Sequence, residues 1–115
     1  MTMEQYDRAL DIMLPAREIS GGKPEEPDIL VLISECWIAT RKNADAEKTL
    51  QEALERFPEA AIRPRAAYDQ GLVNEAAGKI ERARALYSEV RLKWPGTPEA
   101  TQAEERLKDL NKLAE

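Results

Sequence analysis

The chain has 115 residues, with 17 basic and 22 acidic side chains and no histidine, so its formal net charge is −5. The absence of histidine excludes Ser-His and Cys-His catalysis and His-ligated metal sites. The single cysteine, Cys36, excludes an internal disulfide and a cysteine-ligated zinc site. The acidic balance argues against a nucleic-acid-binding surface, which needs clustered basic residues. We therefore predict no catalytic residue, no metal, no cofactor and no nucleic-acid partner.

Membrane insertion is also not expected. The longest uninterrupted apolar run, residues 29–33, is far shorter than the roughly 20 residues that span a bilayer. The acidic residues near the start are not typical of a signal peptide. A complete chain would predict a cytoplasmic protein, whereas a fragment of a longer protein would leave a periplasmic location open.

Prolines and glycines divide the chain into helical segments, and strand patterns are absent. The predicted helices cover residues 4–20, 28–42, 45–57, 65–77, 80–94 and 98–114. The last segment carries an apolar stripe at steps of three and four, after Thr97 as a natural N-cap and Pro98 at the first helical position. Pro15 is expected to bend or end the first helix. Short loops favour antiparallel neighbours, so the chain reads as a series of helical hairpins.

Two stretches of 32 residues, Pro27–Pro58 and Pro64–Pro95, align without gaps. Small residues coincide at the eighth and twentieth positions, where Ser34 matches Gly71 and Ala46 matches Ala83. Larger residues coincide at the twenty-fourth position, and a proline ends each unit. Small side chains allow the two helices of a hairpin to approach closely, and the proline stops the second helix.

The second stretch resembles a tetratricopeptide repeat. The residues that carry the resemblance are Gly71, Gly78, Ala83, Tyr87 and Pro95. The first stretch matches less fully, through Trp37, Ala46, Leu50, Ala53 and Pro58. It has Arg41 where the family has a glycine. The passage from Trp94 to Ala100 also resembles repeat junctions in bacterial cell-envelope proteins of this family.

The resemblance implies an all-α, antiparallel helix-hairpin solenoid that forms one domain over residues 1–115. Tyr6 and Ala9 match the start of the second helix of a repeat, whose first helix is missing. The expected organisation is a half repeat at 1–20, whole repeats at 27–58 and 64–95, and a capping helix at 97–115. Either the chain is a fragment cut from a longer repeat protein, or this single helix caps the array. Trp37, Tyr87 and Cys36 are expected in the core.

In proteins of this family the first helices of successive repeats line a concave groove that holds a peptide. Carried over by position, the lining would be Asp28, Val31, Glu35 and Ile38 from the first repeat, and Arg65, Tyr68, Leu72 and Glu75 from the second. This mixed lining suits a protein segment with apolar anchors and a basic residue. It lacks the lysine and asparagine that the carboxylate-clamp subtype has at the positions of Val31 and Glu35. The expected function is a non-catalytic protein-interaction module.

Three other interpretations stay open. The lining residues could be ordinary solvated helix-face side chains. The chain could be a structural module that forms homo-oligomers through its C-terminal amphipathic helix, with Leu107, Leu110 and Leu113 at the interface. It could also be an accessory helical domain of a larger protein.

Overall fold

The structure, a computed structural model, describes residues 2–114, with side chains up to residue 112. The described residues form six α-helices and no strand: α1 (Met3–Ile19), α2 (Glu26–Ala39), α3 (Asn43–Arg56), α4 (Arg63–Ala76), α5 (Ile80–Lys93) and α6 (Pro98–Ala114). The predicted all-α helical-hairpin fold is confirmed, and every predicted helix end lies within three residues of the observed one.

The helices stack in two layers. Each helix packs against the next one in the chain, and α4 also packs against α2 and α6. The backbones of the outer helices α1, α3 and α5 stay apart from one another. The helices α2, α4 and α6 therefore form a continuous inner layer, and the array is open rather than closed on itself. Its extents are 47 × 32 × 20 Å.

The two helices of the second hairpin, α4 and α5, cross closely because Gly71 has no side chain. A Cβ atom at Gly71 would lie 2.4 Å from Cε1 of Tyr87, whose fully buried ring crosses the α4 backbone at this point. In the first hairpin the equivalent pair is Ser34 and Leu50, both fully buried. The Ser34 hydroxyl donates to the Leu30 carbonyl at 2.8 Å, so it satisfies its own polar group within α2. Small residues at the eighth position thus allow the close approach that the repeat predicted.

The turn inside each hairpin requires a left-handed residue. Gly78 adopts a φ of 78° after α4, in agreement with the sequence prediction. At the equivalent place after α2, Arg41 adopts a φ of 62°. A non-glycine residue in this conformation costs roughly 1–2 kcal/mol. The first hairpin therefore makes the same turn as the second at a conformational cost.

Of the two effects expected of Pro15, a bend or an end of the first helix, the second does not occur, because α1 continues to Ile19. Proline removes one N–H donor, which would otherwise bond to the Asp11 carbonyl. Both Pro15 and Asp11 are solvent-exposed, so water can satisfy that carbonyl. The last turn of α1 is held from outside by Arg17, whose Nη2 donates to Glu52 Oε1 of α3 at 2.6 Å.

The start of α6 forms as predicted. The Thr97 hydroxyl accepts a hydrogen bond from the Ala100 amide at 3.1 Å, as an N-cap does. The apolar stripe of α6 then covers α5: Ala100, Ala103, Leu107 and Leu110 are all at most 9% exposed. Leu107 and Leu110 share a core cluster with Tyr87. This helix is thus a closing cover on the second hairpin.

Tyr87 and Cys36 lie in the core as predicted, whereas Trp37 is less buried than predicted. Tyr87 is fully buried and Cys36 is 7% exposed. Burial and the neighbouring Glu35 carboxylate raise the pKa of the Cys36 thiol, as expected for an unreactive side chain. Trp37 is only half-buried, with the Lys42 ammonium 5.1 Å from its ring centroid.

Candidate protein-binding groove

The predicted lining residues of α2 do not all lie on an accessible surface. Asp28 is exposed and Ile38 is half-buried. Val31, in contrast, is fully buried in a cluster with Leu50 and Ala66, so its assignment to an open groove needs correction. The physical reason is that α4 packs directly on α2 near the small Ala66. A short side chain such as Val31 ends within that contact instead of reaching beyond it.

Glu35 and Arg65 come together across the two inner helices. The Arg65 guanidinium donates from Nε to Glu35 Oε2 at 2.6 Å, and its Nη2 donates to the other carboxylate oxygen. A bidentate arginine–carboxylate pair fixes orientation as well as charge. The hydrogen bond to Glu35 raises the pKa of Arg65. The pair therefore pins α2 to α4 at the edge of the inner surface.

Asp69 lies beside this pair and was not predicted. It is 4% exposed, and its Oδ2 atom accepts no hydrogen bond within the described part of the chain. Burial and the neighbouring Glu35 carboxyl raise its pKa to about 9, and Arg65 opposes this shift only in part. Burial thus favours the neutral form of Asp69, which avoids a second negative charge next to Glu35.

Tyr68 and Leu72 form an apolar pair one helical turn apart on α4. Both are half-buried and pack against the cluster that contains Tyr87. The rings of Tyr68 and Tyr87 lie 5.6 Å apart between centroids, tilted by 42°. Burial raises the pKa of the Tyr68 hydroxyl. These two side chains are the apolar centre of the inner surface.

Glu75 is the second acid of the predicted lining that already has partners. It accepts a hydrogen bond from the Tyr87 hydroxyl at 2.9 Å and one from Arg106 Nε of α6 at 3.1 Å. Arg106 also donates to Asp109 at 3.2 Å. The hydrogen bonds that Arg106 donates to Glu75 raise the pKa of Arg106. This network joins α4 to α6 in the way that Glu35 and Arg65 join α2 to α4.

The structure brings together five of the eight predicted lining residues, all on α4 or facing it: Glu35, Arg65, Tyr68, Leu72 and Glu75. Sequence reasoning missed Asp69 and Arg106. Arg106 carried no local signal, because it lies on α6, 31 positions after Glu75. Asp69 carried none, because an aspartate within a helix ordinarily indicates an exposed position.

Two further depressions lie on the outer side. One, with a volume of about 760 Å³, runs along α3 above Val73, Asn74 and Ala77 of α4. The other, about 400 Å³, lies between α1 and α3 above Trp37. Trp37 and Asn74 are equivalent in the two repeats. Neither depression contains a residue of the predicted groove lining.

A comparison with known families agrees with this geometry. Residues 65–97 match the family model described as tetratricopeptide repeat. The match covers α4, α5 and the turn that leads to α6, and it supports the tetratricopeptide assignment made from Gly71, Gly78 and Tyr87. Tetratricopeptide repeats generally mediate protein–protein interactions and are typically non-catalytic. No curated protein matches the chain.

None of the described helices is both long and apolar enough to cross a bilayer.

Proposed function

We propose that the inner surface of this tetratricopeptide-like array binds an apolar segment of a partner protein. The observation that carries the proposal is the Tyr68–Leu72 pair on α4. It lies on the central inner helix, between one ion pair to α2 and another to α6. The flanking helices are thus fixed on both sides of a half-buried apolar centre, an arrangement typical of a preorganised binding surface.

The charged contacts refine the chemistry of the partner. Glu35 and Glu75 are already paired with Arg65 and Arg106, so neither carboxylate is free to attract a basic residue. Asp28 is exposed and forms no ion pair among the described residues. The partner segment is therefore expected to contribute two apolar side chains to Tyr68 and Leu72. A basic residue would be accommodated only near Asp28.

A peptide-display selection against the full chain tests this proposal without a known partner. The selected peptides should share two apolar positions, and they should bind in solution to the parent protein. Tyr68→Ala and Leu72→Ala should each weaken that binding by at least tenfold, because truncation of a central apolar anchor commonly costs more than 1 kcal/mol. Helical content measured by circular dichroism should not change.

Leu92→Ala is the matched control, since Leu92 is an apolar residue of α5 that is 75% exposed and lies outside the inner surface. It should leave affinity within twofold of the parent. Unchanged binding by Tyr68→Ala and Leu72→Ala would remove the groove assignment. Loss of binding in all three variants would indicate a non-specific apolar contact and would also contradict the proposal.

The self-assembly alternative has less support. Leu107 and Leu110 would have to face another copy, yet both are covered by α5 within the same chain. The side chain of Leu113 lies outside the described residues. Sedimentation velocity over a concentration series distinguishes the two proposals, because a chain that stays monomeric excludes assembly through α6. The accessory-domain interpretation is compatible with the same groove in a longer protein.

A further inference from the structure

The outer helix α5 carries an excess of positive charge that the rest of the chain does not share. Residues 79–93, which comprise α5 and its N-cap, contain five basic and two acidic residues, a net charge of +3. The other residues of the chain have a net charge of −8. The equivalent stretch of the first hairpin, residues 42–56 with α3, has a net charge of −1. The positive charge is therefore particular to α5 and is not a property of the repeat.

Both acidic residues of α5 are paired with bases of the same helix. Arg84 donates to Glu81 at 2.6 Å, and Lys93 pairs with Glu89 one turn before it. Neither carboxylate is therefore available to neutralise the other three basic residues of this segment.

Those three cations are exposed to solvent. Lys79 and Arg91 form no ion pair with any side chain of residues 2–112. Arg82 makes only a long contact of 3.5 Å with Glu47 of α3, and its side chain stays 57% exposed. The outer surface of the second hairpin thus presents three positive charges that the protein itself does not compensate.

An apolar ridge runs between these cations. Arg82 lies on the side of α5 that contacts α3. Arg91 follows Arg84 by two turns, so it lies on the other side, where Arg84 donates to a carbonyl of α6. Ala85 and Leu92 lie between the two sides, two turns apart on the outward line of the helix. Both are exposed, Leu92 by 75%.

The outward face of α3 shows that helix packing does not require this pattern. α3 packs between α2 and α4 as α5 packs between α4 and α6. Yet α3 carries Lys48 and Glu55 at the positions of Ala85 and Leu92, and Asp45 at the position of Arg82. Packing therefore does not account for an outward face that is both cationic and apolar on α5.

We propose that this outward face of α5, the α5 strip, binds an acidic protein segment. The strip consists of Lys79, Arg82, Ala85, Arg91 and Leu92. Carboxylates of the segment would pair with the three cations, and one apolar side chain would pack on Leu92. The strip lies on the outer surface, so the proposal does not rest on the function of the inner groove.

The distribution of charge favours a short segment over a longer polyanion. The strip is only about 20 Å long, at 1.5 Å for each helical residue. The rest of the chain, including the neighbouring helix α3, carries net negative charge. A nucleic acid or an anionic membrane would extend beyond the strip and meet that negative charge. Two copies of the chain cannot pair strip to strip, because like charges would face each other.

A subtractive peptide-display selection identifies the chemistry of the ligand. A random library is selected on the Tyr68→Ala protein, which disfavours ligands of the inner groove, and in parallel on the Tyr68→Ala/Arg91→Glu protein. The peptides enriched only on the first protein should share several acidic residues and one apolar residue. The same enrichment on both proteins, or enriched peptides without acidic residues, would overturn the proposal.

Matched variants locate the binding site of a selected peptide by fluorescence anisotropy. Arg91→Glu should weaken its binding by about tenfold or more, because the new carboxylate repels the acidic segment. Lys48→Glu makes the same charge change at an exposed lysine of α3 and should have an effect of less than about threefold. All these positions are exposed, so folding should not change. Binding that is equally sensitive to both variants would reflect net charge alone and would contradict the assignment to α5.

The apolar contact has its own matched pair. Leu92→Ser should weaken the selected peptide by about threefold or more. Ile19→Ser removes an apolar side chain of similar exposure, 72%, from α1 and should leave the affinity unchanged. An equal response to the two variants would show that Leu92 is not part of the binding surface.

The remaining measurements separate the occupants. An increase in salt from about 50 mM to about 500 mM should weaken the peptide by about fivefold or more, as expected for exposed charges. Single-stranded DNA and phosphatidylserine vesicles should not displace the peptide, and displacement by either would assign the strip to a polyanion instead. A dimer in sedimentation velocity that Arg91→Glu dissolves would make a second copy the occupant and would also overturn the proposal.

Discussion

The two halves of the molecule follow one plan but end differently. In the C-terminal half, α6 buries its apolar stripe on α5 and exposes a polar side to solvent. In the N-terminal half, α1 and α2 leave Ile12 and Leu32 exposed at positions whose equivalents are covered. A repeat unit cannot bury both of its apolar faces alone, so each end of an array needs a cover. Among residues 2–114, the C-terminal end of the array is covered by α6, whereas no described helix covers the corresponding face of α1.

The largest expected effect separates the two ends directly. Leu110→Ala should lower the free energy of unfolding by about 2–5 kcal/mol, because Leu110 is 1% exposed and its removal leaves a cavity. Ile12→Ala should change it by less than about 0.5 kcal/mol, as expected for an exposed position. Urea unfolding followed by circular dichroism measures both. Equal losses would mean that Ile12 is covered in solution and that the ends are alike.

The second prediction concerns the helix crossings in the two hairpins. Gly71→Ala should destabilise the protein by about 1–3 kcal/mol, because the added Cβ collides with the buried Tyr87 ring. Combination with Tyr87→Leu, which restores the side-chain size found at Leu50, should recover part of that loss in a double-mutant cycle.

Ser34→Ala is the control for this crossing, since Ser34 already has a Cβ and loses only its hydrogen bond to the Leu30 carbonyl. It should cost no more than about 1 kcal/mol. If Gly71→Ala cost no more stability than Ser34→Ala, the two helices would cross at the same distance in both hairpins. The close approach inferred at Tyr87 would then be wrong.

The third prediction concerns the pH dependence of stability. The pKa of Asp69 is raised to about 9 in the folded protein, from its ordinary value of 3.8. Below pH 3.8 the carboxyl is protonated in both states. As the pH rises, the unfolded chain loses this proton first, so the contribution of Asp69 to stability falls up to about pH 9. Asp69→Asn removes this loss, so the difference in free energy of unfolding between the variant and the parent should grow in favour of the variant from pH 4.5 to pH 8.

The groups that face Asp69 stay in place in this variant: Glu35 of α2, Arg65 of α4 and Glu99 of α6. Leu32→Asn makes the matched change at the equivalent uncovered position, and its effect should not depend on pH. Urea titrations at pH 4.5, 6 and 8 provide the comparison. A constant difference between Asp69→Asn and the parent would show that the carboxyl titrates normally.

Much of the fold could be predicted from the sequence, because its signals are local. The helix bounds follow from prolines, glycines and apolar spacing, and Thr97 caps α6 as its position indicated. The close helix approach predicted from the small residue at Gly71 is confirmed, whereas its contact with the Tyr87 ring was not predicted. Pro15 does not end α1, because the effect of a proline depends on whether the freed carbonyl reaches water, which is a property of the packed helix. Arg41 adopts a positive φ although the sequence has no glycine at that turn.

Less of the groove could be predicted, because side-chain accessibility depends on how closely two helices approach. Val31 occupies a lining position by register, but the close packing of α4 buries it. From the sequence, Glu35 and Glu75 are available to a binding partner. In the structure each forms an ion pair with an arginine of the next inner helix. Charge pairing between residues about 30 positions apart has no local signature, so the sequence could suggest the lining but not its free charges.

Native-state hydrogen exchange tests the asymmetry between the two ends most directly, since local opening reports how well each helix is covered. The amides in the middle of α5 and α6 should exchange slowest, with protection close to that of global unfolding. Those of α1 should exchange at least tenfold faster. Protection of α1 equal to that of α6 would show that the N-terminal face is already covered and would contradict the account.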